Sequence, residues 1–334
     1  KLTHDLLQYV QLPPSNGYTS RVDNFGEVEN KGIEFNLDGI IMEKDDLNWT
    51  VNANIGINRN KLKKLNSNLD FQLGPSVGFS QAYPILFMVD QPLGIYWGAE
   101  TDGVYSSWEE ANASGIAGAA PGEIRYINHY VDLDDSGQPL EIQEINFDDY
   151  VKIGDPNPDF TYSISNNFTY KNWDANILFT GQKGGDLFWV DSWQLSGLQK
   201  TTNILNSSYA NSWIAPLTYQ NGNYIYDESI GNLNSASHPG AMIETGSRAI
   251  SSDRNIFDGS FIRLKNINIG YNFDLKNGKN MRIYLAGQNL VVWTDYPGYD
   301  PEVRTYTKNP QKRGVDFGTY PGTRSFLMGL KLNY

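Results

Sequence analysis

The sequence lacks the residues and segments that mark several common protein classes. None of its 334 residues is a cysteine, which excludes disulfides, thiol catalysis and cysteine metal sites. The three histidines, His4, His129 and His238, are far apart and do not have the spacing of metal ligands. No apolar run approaches the roughly 18 residues of a transmembrane helix. The net charge of -12 argues against nucleic acid as a partner.

Catalytic signatures are missing as well. The chain has no nucleophile elbow, phosphate-binding loop or zinc motif. Acidic pairs such as Asp148 and Asp149 have no partner that the sequence could place beside them. The sequence therefore predicts that the protein is not an enzyme and needs no cofactor, apart from one candidate calcium loop considered below.

Aromatic and glycine residues are abundant, and they favour strands and turns over helices. The chain has 32 Gly, 21 Tyr, 15 Phe and 8 Trp. Its last eleven residues, 324–334, alternate, with Phe326, Met328, Leu330, Leu332 and Tyr334 on one face and Leu327 as the apolar exception on the other. Roughly 9 to 11 residues is also the length with which a tilted strand crosses a bilayer. An edge strand of a soluble sandwich is the alternative interpretation of this segment.

A hairpin near the start of the chain repeats the alternation. Ile33, Phe35, Leu37 and Ile41 alternate with polar residues between Gly32 and Met42. The return strand, 47–60, has Trp49, Val51, Ala53, Ile55 and Ile57 on one face and small uncharged polar residues on the other. A water-facing soluble sheet usually has Lys and Glu there, whereas small polar groups suit the hydrated interior of a barrel.

Further strands are expected at 2–11, 160–170, 173–179, 261–273 and 282–290, and a phase change near Lys265 predicts a β-bulge. These strands are joined alternately by short turns and by long irregular stretches. The turns lie at 43–46, 171–172 and 274–280, and the long stretches at 61–158, 181–260 and 293–323. Outer-membrane barrels have short periplasmic turns and long extracellular loops. We therefore predict an all-β fold, with eight antiparallel transmembrane strands, or ten if 61–158 adds a hairpin.

Four motifs in order along the chain resemble those of a known family. They are N-K-G-I-E at 30–34, I-G-D-P-N-P-D-F at 153–160, D-G-S-F-I-R-L-K-N at 258–266, and G-Q-N-L at 287–290 followed by Y-P-G-Y-D-P-E at 296–302. This pattern resembles the SusC/RagA class of TonB-dependent outer-membrane proteins.

The resemblance implies a 22-stranded barrel closed by an N-terminal plug, of which residues 1–334 would form the C-terminal strands. It also implies a SusD-like surface lipoprotein as partner and import of oligosaccharides or peptides with energy from TonB. Neither a plug nor a TonB box occurs in this sequence. Because Lys1 begins within a strand-like pattern, we expect the chain to be the C-terminal part of a longer one that sits among outer-membrane lipid in a Gram-negative bacterium.

One acidic turn resembles the opening of a calcium-binding loop. Asp132, Asp134 and Ser136 occupy its first, third and fifth positions, and Gly137 the sixth. Position twelve is Gln143 where such loops have glutamate. A solvated acidic turn without metal is the alternative interpretation.

The 181–260 stretch concentrates aromatic residues, and rings of this kind can stack on sugars or pack on peptide side chains. Asp186 and Asp191 could add hydrogen bonds to a polar ligand. Candidate substrate-binding residues are Trp189, Trp193, Tyr209, Trp213, Tyr224, Asp186 and Asp191. The same rings could instead form the core of the loop or its contact with the lipoprotein.

The sequence thus predicts import of oligosaccharides, with oligopeptides as the second choice of substrate. We expect Trp189, Trp193 and Trp213 to lie over the barrel mouth. Residues expected to face lipid are Trp49, Ile55, Ile57, Phe179, Ile283, Leu330 and Leu332. A soluble all-β binding or adhesion module is the main alternative, and a passive porin is a weaker one.

Overall fold

A computed structural model describes most of the chain. The described residues are 1–4, 7–11, 17, 20–24, 26–65, 69–78, 83–198, 203–230, 236–240, 250–275, 279–303, 305–306 and 309–333. Among them, no helix is long and apolar enough to span a membrane. Tyr334, the expected terminal aromatic of the last strand, lies outside these residues.

Eight strands form one antiparallel sheet, the main sheet, and their spatial order is their order along the chain. The smaller of the two predicted strand counts is therefore correct. The sheet does not close on itself within these residues. The strands are β1 Leu2–Thr3, β2 Gly26–Lys44, β3 Leu47–Leu65, β4 Pro158–Tyr170, β5 Trp173–Gly184, β6 Phe261–Asp274, β7 Asn280–Thr294 and β8 Ser325–Asn333.

One face of the main sheet is apolar. Residues that stand directly opposite one another in antiparallel strands share a face. One such row crosses β3 to β8 through Trp49, Phe168, Ala175, Ile269, Leu285 and Met328. The seven residues expected to face lipid all belong to this face, and none is buried. Their common orientation confirms the predicted pattern.

The opposite face is polar and made mostly of small side chains. A representative row crosses β2 to β8 through Asp38, Asn52, Ser165, Leu178, Asn266, Gln288 and Ser325. Neighbouring carboxamides bond to one another across the strands: Asn54 donates to Asn36 at 2.5 Å and Asn176 to Asn167 at 2.7 Å. The polar groups of this face therefore satisfy one another without ion pairs at most positions.

The register shifts at several places in the main sheet, and two of these shifts concern residues for which the sequence made a prediction. The pairing of β6 with both neighbours shifts between Leu264 and Asn266, so Lys265 is the extra residue and the predicted bulge is confirmed. A second shift lies between Ile40 and Met42 in β2. Ile41 was expected to continue the apolar face, but it is the bulged residue, and Met42 stands opposite Trp49 instead. The run of three apolar residues, 40–42, gives no alternation from which the sequence could place this shift.

The start of the chain also differs from the prediction. A single strand was expected at 2–11, whereas only Leu2–Thr3 joins the main sheet. Residues Leu7–Gln11 pair with Ser20–Asn24 in a separate two-stranded sheet.

Short turns join β2 to β3, β4 to β5 and β6 to β7 at one end of the strands of the main sheet. Three long segments join the strands at their opposite ends. The long segments are 66–157, 185–260 and 295–324, within a few residues of the predicted bounds, and we call their described parts the loop layer. Its strands are Phe71–Leu73, Ile85–Met88, Ile95–Gly98, Thr101–Val104, Ile124–Tyr126, Val151–Gly154, Asp186–Trp189, Leu217–Gln220, Asn223–Tyr226, Ile256–Asp258 and Val315–Asp316.

Helical segments of the loop layer are short. There are two α-helices, α1 Trp108–Ala113 and α2 Asn206–Ala210, and a π-helical turn at Gln194–Leu198. Single 3₁₀ turns occur at Phe147–Asp149, Glu228–Ile230, Asp253–Asn255 and Pro310–Lys312. None of the loop-layer strands joins the main sheet, so the described residues of 61–158 add no hairpin to it.

The hydrophobic core lies in the loop layer and not along the main sheet. Phe188, Ile85, Tyr96 and Val315 are almost fully buried and come from all three long segments. Leu62 and Leu65 at the end of β3 join the same cluster. Backbone bonds connect the segments, as where Val190 donates to the Asp316 carbonyl at 2.8 Å. The described parts of the three long connections therefore pack together over one end of the strands of the main sheet.

Candidate functional site

The segment 295–324 lies across the polar face of the main sheet. Arg263 of β6 belongs to that face and is buried. Its Nη2 lies 2.5 Å from Oδ1 of Asp300 and its Nε lies 2.8 Å from Oε2 of Glu302. Lys265 adds a contact of 3.4 Å to Glu302. A buried guanidinium is costly without a paired carboxylate, so this cluster ties one end of the segment to the sheet.

The far end of the same segment is held by the loop layer. The hydroxyl of Tyr96, fully buried, donates to the Arg313 carbonyl at 2.9 Å. Burial raises the pKa of Tyr96, so the hydroxyl stays protonated as a donor. Val315–Asp316 then pairs with Asp186–Trp189 as a parallel strand. The segment therefore bridges from β6 to a region above β2 and β3.

A cavity of about 400 Å³ lies under this bridge, against the polar face. Its described lining includes the cations Lys312 and Arg313, the ring of Tyr306 and no Asp or Glu side chain. Six carboxamides complete its walls: Asn30, Asn58, Asn60, Asn157, Asn309 and Gln311. The sequence analysis missed these residues. A signal was present, since residues 303–313 hold four basic and no acidic residues in a chain of net charge -12.

A second concavity, of about 900 Å³, lies on the apolar face. Phe35, Ile55, Tyr162, Ile262 and Trp293 are among its lining residues. Polar residues such as Lys183 and Asp295 also line it. A groove with this lining suits hydrocarbon better than a hydrated ligand.

Two of the predicted ligand-binding tryptophans are in the core. Trp189 is 6% exposed and packs edge-on against Phe257 and Tyr296, and Trp193 is 7% exposed and packs edge-on against Phe188. Rings at such depth offer no open face to a substrate. Both rings therefore contribute to the core of the loop layer, and substrate binding by Trp189 and Trp193 stays a prediction.

Trp213, Tyr209 and Tyr224 are more accessible. Tyr224 is 74% exposed and stands opposite Tyr219 in the hairpin formed by Leu217–Gln220 and Asn223–Tyr226, with 5.1 Å between the ring centroids. Tyr209 on α2 is 75% exposed. Trp213 is half-buried, stacks on Tyr226 and covers a glycine, because a Cβ at Gly122 would lie 2.5 Å from its ring. The exposed rings of Tyr209, Tyr219 and Tyr224 therefore remain available to a ligand.

The two predicted acidic contacts, Asp186 and Asp191, hold the loop layer together. Asp186 accepts from the backbone N–H of Asp155 at 2.7 Å, and Asp191 accepts from the N–H of Gly318 at 2.7 Å. Burial raises the pKa of both carboxyl groups, and the negative charges of Asp155 and Asp316, respectively, add to the shift. Each carboxylate thus has an internal partner in the absence of ligand.

The candidate calcium loop folds as a turn. Oδ1 of Asp134 accepts from the backbone N–H groups of Ser136 and Gln138 at 2.8 and 2.9 Å. Asp132 accepts from the backbone of Glu144 at 3.0 Å and from Asn146. Among the described residues, no three His, Asp or Glu side chains are grouped so that they could hold a metal ion. Calcium binding at Asp132, Asp134 and Ser136 stays a prediction.

Comparison with known proteins agrees with this architecture. No protein-family model matches the chain. It is 34% identical over 345 residues to TonB-dependent receptor P3 of Formosa agariphila. The matched region covers 99% of this chain and 31% of the receptor. It is 25% identical over 354 residues to TonB-dependent receptor SusC of Bacteroides thetaiotaomicron, covering 99% of this chain and 29% of SusC.

A solved structure described as the RagAB peptide transporter superposes with a TM-score of 0.71 at 19% identity, covering 99% of this chain and 32% of that one. The chain therefore spans about a third of the length of the relatives it matches.

A meandering antiparallel sheet with one apolar and one amide-rich face, and with all its long connections at the same ends of its strands, has the fold of a wall segment of a β-barrel. The predicted resemblance to the SusC/RagA class of TonB-dependent receptors is therefore confirmed over almost the whole chain. Its relatives are receptors and a transporter and not enzymes, as the sequence predicted.

Proposed function

We propose that this chain forms the C-terminal barrel portion of a TonB-dependent importer in the outer membrane of a Gram-negative bacterium. The observation that carries the proposal is the apolar face, which runs without interruption by charge across β3 to β8 in the row through Trp49 and Met328. Such a face is costly in water and favourable in hydrocarbon. The amide-rich face would line the hydrated interior.

The arrangement of the connections supports an orientation. Turns of two residues join β2 to β3 and β4 to β5, whereas the loop layer contains three long segments with their own core. In outer-membrane barrels the short turns face the periplasm and the long loops face outward. We therefore infer that the loop layer lies on the cell surface, where a SusD-like lipoprotein would dock on it. TonB would act through a plug region outside this sequence.

Oligosaccharides are the substrate class that we propose. Tyr209, Tyr219 and Tyr224 present flat rings to solvent, and Gln220 and Asn223 beside the tyrosine pair can hydrogen-bond to hydroxyl groups. Stacking on rings combined with carboxamide contacts is a chemistry suited to sugars. The charge pattern on the polar face is compatible, since most of its groups are uncharged.

Uptake by whole cells tests the proposal. Cells that express the full-length transporter should accumulate fluorescent oligosaccharides only when TonB and the surface lipoprotein are both present. A strain without TonB is the energy control, and labelled oligopeptides are the competing substrates. Accumulation of peptides but not of oligosaccharides would show that oligopeptides, and not oligosaccharides, are the substrate class. Accumulation that continues without TonB would indicate a passive pore and contradict the import mechanism.

A further inference from the structure

We propose that the cavity under the 295–324 segment binds the anionic group of an acidic oligosaccharide, either a uronate carboxylate or a sulfate ester. The proposal rests on the function proposed above and narrows its substrate class. It concerns a site distinct from the tyrosine hairpin, defined by Lys312, Arg313, Tyr306, Asn60 and Asn157.

The first argument is charge. Several cations of the protein are ion-paired, as Lys171 is to Asp46 and Lys183 to Asp258. Among the described residues, no carboxylate lies within ion-pair distance of Lys312 or Arg313. Within a protein surface rich in carboxylates, two adjacent unpaired cations in one concave site form a local positive potential. An anion that enters the cavity gains charge-assisted hydrogen bonds without having to displace a protein carboxylate.

The second argument is the orientation of Arg313. Its carbonyl accepts the Tyr96 hydroxyl, and the next residues are fixed as a strand, so its backbone cannot move freely. Its guanidinium is exposed, and its one side-chain contact to a described residue is a long one of 3.5 Å to Oδ1 of Asn157. The same side chain lines two neighbouring cavities of about 490 and 270 Å³. A guanidinium placed in this way presents its planar fork to a carboxylate or sulfate.

The carboxylates near these cavities do not oppose the assignment. Glu302 lines the 270 Å³ cavity, but it is engaged by Arg263 and Lys265. Glu34 lines the 490 Å³ cavity, whose described lining does not include Lys312. Of the three cavities that Arg313 lines in the described part of the chain, the 400 Å³ one combines both cations with a described lining free of acidic residues, so the anionic group would enter there.

The third argument is that the remaining walls suit the rest of a sugar. Asn60 donates to Asn157 at 2.7 Å and accepts from the backbone N–H of Leu93 at 2.7 Å, so both carboxamides are held in place. Preorganised carboxamides can bond to hydroxyl groups with little loss of side-chain entropy. The ammonium of Lys312 lies 4.4 Å from the centroid of the Tyr306 ring, which places its charge at the cavity wall.

Calorimetry on the purified full-length transporter tests the assignment. The probes are tetragalacturonate, a sulfated carrageenan tetrasaccharide, neutral galactotetraose and the acidic peptide tetraglutamate, at two salt concentrations. We expect wild-type protein to bind at least one acidic probe more tightly than the neutral one, and the affinity to fall with salt. The double substitution Lys312→Gln with Arg313→Gln should weaken acidic-probe binding about tenfold or more, because the charge-assisted hydrogen bonds to the anion are lost.

Matched variants keep the result interpretable. Lys171→Gln with Lys183→Gln removes the same net charge from exposed positions and should leave the affinity unchanged. Arg313→Lys keeps the positive charge but loses the planar guanidinium. This variant should bind the acidic probes more tightly than the Lys312→Gln, Arg313→Gln protein and less tightly than the wild type. The two acidic probes distinguish a carboxylate site from a sulfate site.

Three results would overturn the inference. Equal affinity of the wild type and the Lys312→Gln, Arg313→Gln protein for the acidic probes would place the anion site elsewhere. Preference for galactotetraose would remove the acidic class while leaving oligosaccharide import intact. Binding of acidic peptides but of no sugar would refute both the inference and the proposed substrate class.

Discussion

The main sheet and the loop layer are stabilised in different ways. In the main sheet, large apolar side chains such as Phe35, Phe326 and Met328 are more than half exposed. In the loop layer, Phe188, Ile85 and Tyr96 are almost completely buried by one another. The loop layer therefore has the packed interior of a soluble domain, whereas the sheet depends on its surroundings to cover its apolar face. The same chain thus exposes apolar side chains in the main sheet and buries them in the loop layer. The change from exposed to buried apolar side chains occurs near the ends of β3, β5 and β7.

The largest effect that tests this comparison is expected at the last strand. Deleting Leu332–Tyr334 removes residues that pair with Met281 and Asn280 and shortens the apolar face at its terminal strand. We expect surface protein to be lost almost completely, because β8 can no longer span the bilayer and the terminal strand resembles the signal for membrane insertion. Surface immunolabelling measures this, with Leu332→Ile as the control. Normal surface amounts after the deletion would contradict the transmembrane role of β8.

The next effect concerns the core of the loop layer. Phe188→Ala should destabilise this layer by about 3–5 kcal/mol, because a fully buried ring leaves a cavity. Tyr224→Ala removes an exposed ring and should change stability by less than about 0.5 kcal/mol. Hydrogen exchange of the backbone amides around Val190 reports the difference. Equal protection in the two variants would mean that the loop layer has no cooperative core.

A pair of neighbouring substitutions compares the two faces of the sheet directly. Val51→Arg places a charge on the apolar face and should cost about 2–4 kcal/mol if that residue lies near the bilayer midplane. Asn52→Arg places the same charge on the polar face, opposite Asp38, and should be tolerated. Reversible unfolding from lipid vesicles measures both. Similar costs for the two variants would contradict the assignment of faces.

The smallest expected effect is the pH response of Asp186. Burial raises its pKa in the folded protein above the ordinary value of 3.8. The folded state therefore favours the protonated form, and it loses stability relative to the unfolded state as pH rises through the raised pKa. Asp186→Asn should stabilise the loop layer at pH 7 and have little effect near pH 3. Hydrogen exchange at the two pH values measures the stability of the loop layer in the wild type and the variant. A stabilisation that is the same at both pH values would mean that packing, and not the ionisation of Asp186, causes it.

Local alternation was sufficient to predict most of the main sheet. The hairpin of β2 and β3, the bulge at Lys265 and the bounds of the long connections follow from period-two patterns and turn residues, which are properties of adjacent positions. The bulge at Ile41 could not be predicted in this way, because residues 40–42 are all apolar and do not show which of them faces which side of the sheet.

The loop layer could not be predicted, because its contacts join residues that are distant in sequence. Trp189 packs on Tyr296, and Arg263 binds Asp300, which is 37 residues away. Composition can show that a loop is rich in aromatic residues, but not which of its rings are buried. For the same reason Lys312 and Arg313 carry a signal in the sequence, yet the cavity around them exists only because Tyr96 and Val315 fix the chain there.

The parallel pairing of Val315–Asp316 with Asp186–Trp189 has a practical consequence for building chimaeric transporters. Ile256–Asp258 pairs with the other side of Asp186–Trp189, so one small sheet contains strands from two of the long connections. Grafting 185–260 alone from a relative would leave Val315–Asp316 beside a foreign strand. The exchangeable module is composite: 185–260 and 295–324 would have to be transplanted together, with Arg263 retained on the recipient wall to receive Asp300.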